Sequence, residues 1–408
     1  MRFSQIGAAA VAIALAACTA ERSSLPEATV NAGCVANARL GMVKAAAPHT
    51  PTAAELGFWP RRGRSVRVCG DVGRGFARCA AWLRTDIAGK ARPETPSGYG
   101  PSDLQQAYGL TSDSESGGCT VAIVDAYDDP NAAADLAIYR SQYGLPACTV
   151  ANGCFTKQQF TSQPNASWAG EESVDVDMVS AICPNCRIVL VEAASANMTD
   201  LSTAEQYATA HADYVSNSWG GSEGTTSYDA LYNIPGVAIV AATGDHGYNA
   251  TAQWPAILPS VIGVGGTSLS SIQPLVEAAW SHAGSGCSKV YAKPRFQGTL
   301  NTGCSMRAEA DVSAEADPDT GVAIYDSFQQ HGWLVAGGTS VATSIVASIF
   351  ALAGKTGANN PANLYANTAA LNNVISGSNG GCGRPLCTAV RGWNGPTGLG
   401  TPNGLAAF

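Results

Sequence analysis

Charge is scarce in this chain. Only 13% of its 408 residues are Asp, Glu, Lys or Arg, against 46% hydrophobic. That excludes a charge-rich disordered polypeptide and fits a globular protein with a large core. Histidine is scarcer still. There are five, and none stands in the Gly-Thr-His setting of a histidine-based serine hydrolase. Apolar runs long enough to cross a membrane, roughly 18 residues, are missing beyond the N-terminus. Basic residues are thin after residue 95. The first 95 residues hold 13 of the 23 Lys and Arg but 6 of the 31 Asp and Glu, a net of +7, and the rest carries −15. So acidic a body argues against a nucleic-acid partner. The basic leader, richest from Arg61 to Arg67, is read as docking on it.

What is present at the N-terminus is a targeting pattern. Arg2 supplies a positive start and Ile6 to Ala17 an apolar stretch. Leu15-Ala16-Ala17-Cys18 resembles a lipobox, which would lipidate Cys18 and anchor the protein to a bacterial envelope. Cleavage after Ala20 would instead release a free secreted protein. Cysteine usage agrees with export. Apart from Cys18 there are 12 cysteines, ten of them in close pairs: 69/79, 148/154, 183/186, 287/304 and 382/387. Loop-closing disulfides in an oxidising compartment explain the pattern. The rival for Cys183-Pro184-Asn185-Cys186, a metal or redox motif, lacks a second CxxC or nearby histidines.

Residues 1–20 are read as signal peptide, 21–97 as a prosegment and 98–408 as one α/β domain. Gly98-Tyr99-Gly100-Pro101 marks the boundary. Beyond it, apolar strands at Thr120–Asp125, Arg187–Ala193, Tyr214–Ser216, Gly236–Ala242 and Ser260–Gly265 alternate with helical stretches. Those stretches are Pro130–Tyr143, Glu171–Ile182, Thr199–Ala212 and Ser340–Ala353. Strands apolar throughout and separated by helices predict a parallel sheet, doubly wound, covered on both faces.

Chemistry concentrates in three places. Ser340 follows two glycines at the start of an apolar helix, where a helix N-terminus favours developing negative charge. It could equally be a simple N-cap. Glu171 and Asp175 lie four apart on one helix face, in a segment without Lys or Arg. Burial and mutual repulsion would raise at least one of their pKa values, letting them share a proton. Glu172 and Asp177 compete by position. Asp245 follows a buried strand between glycines, where a protonated carboxyl could donate to an oxyanion.

Taken in order, Val121–Asp125, Glu171–Ala181, Ser218-Trp219-Gly220, Ala241–Gly247, Val264–Ser268, Gly337–Ser340 and Gly398–Pro402 resemble the serine-carboxyl peptidases, or sedolisins. The resemblance spans roughly three-quarters of the chain and implies a subtilisin-like fold. It implies a peptidase acting on proteins or peptides, with Ser340 as nucleophile, Glu171 as general base, Asp175 as its support and Asp245 as oxyanion donor. Asp125 would extend the carboxylate network, Trp219 would lie beside it, and Gly338 would belong to the nucleophile turn. A carboxylate base with a protonated Asp245 implies activity confined to acid. The chain is expected to be an exported monomer, secreted or lipid-anchored, that carries its own prosegment as a zymogen.

There are departures. The family's calcium aspartates correspond to Asn373 and Asn394, so the site is expected to be degenerate, holding calcium weakly or not at all. Ser344 stands where the family has proline, and the prosegment is short. Two rivals remain: an inactive cell-surface binding protein on the same fold, and a histidine-based enzyme using His211, His246, His282 or His331.

Overall fold

Short apolar runs bounded by glycine, proline or polar turns become the strands of a central sheet. A computed structural model describes residues 64–85, 96–110, 119–224, 226–249, 252–330, 332–355 and 360–408. The targeting segment, Cys18, Cys34, His331 and residues 21–63 and 86–95 of the expected prosegment lie outside them. Among the described residues no helix is long and apolar enough to cross a membrane.

Three short strands come first: β1 (Ser65–Arg67), β2 (Arg78–Cys79) and β3 (Trp82–Arg84). Helix α1 (Pro101–Ala107) leads into β4 (Thr120–Ala126), α2 (Ala132–Gln142), β5 (Phe155–Gln159), α3 (Ala166–Ile182), β6 (Arg187–Ala193) and α4 (Met198–His211). There follow β7 (Tyr214–Asn217), β8 (Trp219–Ser222), β9 (Ala238–Ala242), β10 (Gln253–Trp254), β11 (Ile262–Ser271) and β12 (Val276–Ala279). The last part holds β13 (Cys287–Ala292), β14 (Met306–Ala308), β15 (Val312–Glu315), β16 (Val322–Asp326), β17 (Gly332–Gly337) and α5 (Thr339–Ala353).

The main sheet runs β12-β11-β9-β7-β4-β6-β5, with β15 also on β11. Every pairing is parallel except β11 with β12. In β4, Val121 and Ile123 join the core formed with α3 and α5, whereas Ala122, Val124 and Ala126 join the one formed with α4. Burial on both faces is why the strands show no polar alternation. Helix α5 is apolar on all sides because it is buried on all sides. It ends at Gly354, in the left-handed region at φ 60°.

The α/β parallel sheet agrees with the sequence, but one boundary differs. Helix α3 begins at Ala166, five residues before the expected start, because the Asn165 side chain caps it by accepting from the Ser167 and Trp168 amides. Its first residues, Ala166-Ser167-Trp168-Ala169-Gly170, show no apolar periodicity, and a Cβ on Gly170 would lie 3.3 Å from the Val68 side chain. The sequence did not show how the leader is seated. Residues 64–85, placed by sequence in a separate leader, pair with strands of the domain. β3 lies between β1 and β17 in a four-stranded sheet, and β2 pairs with β8. Composition had set them apart, but open strand edges accept any extended backbone.

All five expected close pairs are disulfides, and Cys119 is disulfide-bonded as well. One buried ion pair ties the β14–β15 region to the sheet. Arg307 donates to both Asp311 oxygens at 3.0 and 2.7 Å and to the carbonyls of Ile257, Leu258 and Val261, while Asp311 accepts from the Gly263 amide. Removing the guanidinium would strand a buried carboxylate. Arg307→Leu is expected to cost about 3–5 kcal/mol in urea unfolding, and a loss below about 1 kcal/mol would show that Asp311 finds other partners.

Candidate active site

The C-terminal edge of a parallel sheet is where its strands release side chains into a crevice. Asp125 stands at the end of β4, Ser218 between β7 and β8, and Asp245 in the turn after β9. Helix α3 brings Glu171 and Asp175 to the same edge, one turn apart. Ser340 starts α5, whose N-cap is Gly338 at φ 104°. All these side chains are buried. Glu172 and Asp177 point elsewhere: Glu172 meets Glu192 and Asp177 accepts from the Tyr325 amide at 2.8 Å.

The Ser340 hydroxyl donates to the Ser218 carbonyl at 3.2 Å. No histidine among the described residues hydrogen-bonds it. His246 is taken up by Arg78, and burial with the Arg78 and Arg67 charges pushes its pKa down to about 4. His211 bonds the Tyr207 carbonyl, and His282 lies against Trp82 and Trp280.

Carboxylates surround the serine instead. Glu171 is pushed well above its ordinary pKa by burial and then by Asp175. Neither of its oxygens makes a hydrogen bond of good geometry, but the Ser340 hydroxyl and the Ala81 amide are near enough to favour its charged form. They are neighbours of Glu171 rather than bonded partners. Asp125, also without a bonded partner, is raised by burial and then by Asp175 and Glu171. Asp175 is raised to about 7 by burial, opposed by two hydroxyls. Ser218 Oγ donates to Asp175 Oδ1 at 2.7 Å and Ser344 Oγ at 2.8 Å. Trp219 borders the cluster, its indole N–H donating to the Val124 carbonyl at 2.9 Å.

Asp245 is raised to about 7 by burial, against the Thr339 amide and hydroxyl and the Arg78 and Arg67 charges. Its Oδ1 accepts from the Thr339 amide at 2.9 Å and hydroxyl at 2.8 Å, while Oδ2 has no partner. A protonated Asp245 therefore has one oxygen free to donate. The Ser340 amide, in the first turn of α5 and without a partner inside the helix, donates to the Ala80 carbonyl at 3.2 Å. Thr339 and the Ser218 hydroxyl were missed by sequence reasoning, and Ser344 was noticed only as a departure. A hydroxyl four residues after Ser340, on the face that meets Asp175, was the available signal.

Asn373 and Asn394 form no cation cage. Asn394 Nδ2 donates to the Val374 and Val390 carbonyls, its Oδ1 accepts from Thr397, and Asn373 Oδ1 accepts from the Gly392 amide. Donors occupy the direction in which calcium would need oxygen. Among the described residues no group of three or more His, Cys, Asp or Glu could hold a metal. The residues do not fit the ion.

Loss of the Ser344 hydroxyl removes one of the donors that stabilise ionised Asp175, so the pKa of Asp175 rises further. Ser344→Ala is expected to shift the acid limb of a kcat/KM profile to higher pH and cost roughly 1 kcal/mol of stability. An unmoved limb would show that Ser344 serves packing alone.

The subtilase family model matches residues 123–379. Kumamolisin of Bacillus sp. (strain MN-32) is 26% identical, over 82% of this chain and 67% of that protein. Sedolisin of Pseudomonas sp. (strain 101) is 23% identical, over 75% of this chain and 60% of that one. This chain thus spans two thirds or less of these relatives' length. A solved structure of Pseudomonas sedolisin, a serine-carboxyl proteinase complexed with two molecules of pseudo-iodotyrostatin, superposes with a TM-score of 0.64. It is 22% identical, over 76% of this chain and 96% of that one, and shares the fold. The chain belongs to the subtilase family and, within it, to the sedolisin group of serine-carboxyl peptidases.

Proposed function

We propose that this protein is an exported endopeptidase that cuts protein substrates in acid through an acyl-enzyme on Ser340. The observation that carries the reading is the convergence on Ser340 of a buried, unbonded Glu171 and an Asp245 oxygen free to donate, with no histidine among the described residues bonded to the serine. Glu171 takes the hydroxyl proton as Ser340 attacks and returns it to the leaving amine. Asp175 and Asp125 set its charge, since three carboxylates this close titrate as one system. The Ser340 amide and protonated Asp245 receive the oxyanion. Five disulfides suit an oxidising compartment, with release or a lipid anchor at Cys18 as the route.

The pH dependence has two parts. Asp245 donates only while protonated, so activity falls as pH passes about 7. Burial is the largest cause raising Glu171, and water reaching an open site lowers that cost, returning the base towards the acid range. Cleavage of a denatured protein, scanned from pH 3 to 8, is expected to be confined to acid. Ser340→Ala and Glu171→Gln should each lower it by about 10³-fold or more. Asp245→Asn, which can donate at any pH, should extend the neutral limb while lowering the maximum about 10²-fold. A profile flat to pH 8 in the unmodified protein, or a Glu171→Gln variant as active as it, would sink the proposal.

Stability should also favour acid. Burial raises Asp129, Asp175, Asp245 and Asp326 to about 7 and Glu205 and Glu309 to about 8. The folded chain thus holds protons that the unfolded chain releases near pH 4. The stabilisation is complete below about 4 and is lost as pH rises through the folded values. Tm is expected to be higher at pH 4 than at pH 8. The reverse order would mean these carboxyls ionise freely in the fold.

A further inference from the structure

Basic side chains are few in the body of the chain, and most are spent on internal partners. Ten Lys and Arg follow residue 95. Arg140, Lys293 and Lys355 donate to backbone carbonyls, Arg187 donates to the Thr120 hydroxyl, and Lys157 and Arg307 pair with carboxylates. Arg384 and Arg391 differ. Both are exposed, and among the described residues neither guanidinium has a hydrogen-bond or ion-pair partner. Both line one open groove of about 420 Å³.

The rest of the lining is mainly apolar: Leu300, Pro385, Val390 and Trp393, with Asn301 the one other polar side chain. Trp393 is 4% exposed, and its indole N–H is taken by the Ala310 carbonyl at 2.8 Å, so it offers the groove ring surface and no donor. The walls are braced. Cys382–Cys387 closes the turn that bears Arg384. The Gly395 amide donates to the Pro385 carbonyl at 3.0 Å, and Ser285 Oγ donates to the Leu386 carbonyl at 3.1 Å. Backbone on both sides of Arg391 is anchored by asparagine. Asn394 Nδ2 donates to the Val390 carbonyl at 3.3 Å, and Asn373 Oδ1 accepts from the Gly392 amide at 2.8 Å. A groove held in shape this way binds without first paying to order its loops.

We propose that this groove receives the C-terminal end of a polypeptide, its terminal carboxylate on Arg384 and Arg391 and its last, apolar side chain against Trp393 and Val390. Guanidinium forks match the two oxygens of a carboxylate. The surrounding charge narrows the choice of anion. A body with a net charge of −15 repels a nucleic acid or another polyanion along its length, whereas a single carboxylate has only the two arginines to meet. Acid narrows it again. An α-carboxyl has a pKa of roughly 3.3–3.7, below the side chains of Asp and Glu, so a chain end keeps its charge furthest into the acid range. An apolar residue beside that carboxylate matches the apolar lining, and Asn301 is the side chain available to the peptide group. Peptide cleavage makes ends of this kind, but binding them requires nothing of Ser340.

The test is a calorimetric titration of the full chain carrying Ser340→Ala, which leaves added peptide uncut. The probe is the pentapeptide Gly-Ser-Gly-Ala-Leu with a free carboxylate, at pH 5. Its C-terminal amide should bind at least tenfold more weakly, and replacing the last leucine by glycine should weaken it at least threefold. Adding Arg384→Ser with Arg391→Ser should cost at least tenfold in affinity for the free acid and nothing for the amide. Binding should fade below about pH 3.5, as the carboxyl takes up its proton. With Ser340 restored, the double arginine variant should cleave a fluorogenic peptide blocked at both ends as fast as the unmodified chain. No binding of the free acid, equal binding of acid and amide, or an unchanged affinity in the double arginine variant would overturn the proposal. Tighter binding of a heparin oligosaccharide than of the peptide would assign the groove to a polyanion and overturn it as well. Failure of every form to cleave would overturn the peptidase reading alone, since the titration does not depend on it.

Discussion

Glu171, Asp175 and Asp125 are buried together, and the groups acting on them, beyond burial itself, are hydroxyls, one backbone amide, one another and two further carboxyls, Asp245 and Glu192. Carboxyls in that position cannot all ionise, so protons are retained among them. The rest of the site follows from this constraint. Hydroxyls from Ser218 and Ser344 serve Asp175, because only neutral donors could support it without locking its charge. An arginine there would hold the carboxylate ionised and remove the proton that the system needs to move. The fold meets the constraint by laying α3 against α5, with both helices buried, so that a carboxylate turn faces a serine turn.

The same packing leaves the edges of β8 and β17 unpaired on either side of Ser340. An extended chain completes both at once, and its backbone, not its side chains, is what they recognise. Gly338 makes this possible, while Gly337 is required by Pro318 behind it. A Cβ on Gly337 would lie 2.4 Å from the Pro318 nitrogen, and one on Gly338 would strike the Ala80 carbonyl. Glycine there serves the close approach of a peptide to the helix end as much as the turn.

Much of this was legible in the sequence. The strands at Thr120, Arg187, Tyr214 and Ala238 could be seen because burial on both faces leaves a run of apolar residues and little else. Glu171 and Asp175 stood out because carboxylates without basic neighbours are odd on an apolar helix. The pairing of residues 64–85 was hidden for the opposite reason. Ala77, Ala80 and Ala81 carry no pattern, since they bind through amides and carbonyls, and basic composition assigned the segment to a leader. Ser344 was visible only as a departure, because a serine's value lies in the partner it reaches, and Asp175 is 169 positions away. The calcium loop was half legible. Two asparagines were read as weakening the site, but the carbonyls that the Asn394 amide claims could not be read.

Charge alone does not explain how the segment is held. Arg78 pairs with Asp71 of the same segment at 2.6 Å, and Arg67 gives its guanidinium to the Asp245 carbonyl, an oxygen that no acid titrates in the working range. Protonation in the site works in the other direction. Burial raises Glu171, Asp175 and Asp245, and the covering segment contributes to that burial, so the covered state binds protons more tightly than an open one. By linkage, proton uptake and seating of the segment favour each other. At Asp245 the segment acts both ways, its burial raising the pKa and its Arg78 and Arg67 charges lowering it. Release has to come from what holds it in place: the β1–β3 pairing, the two strand edges and the Cys69–Cys79 bond.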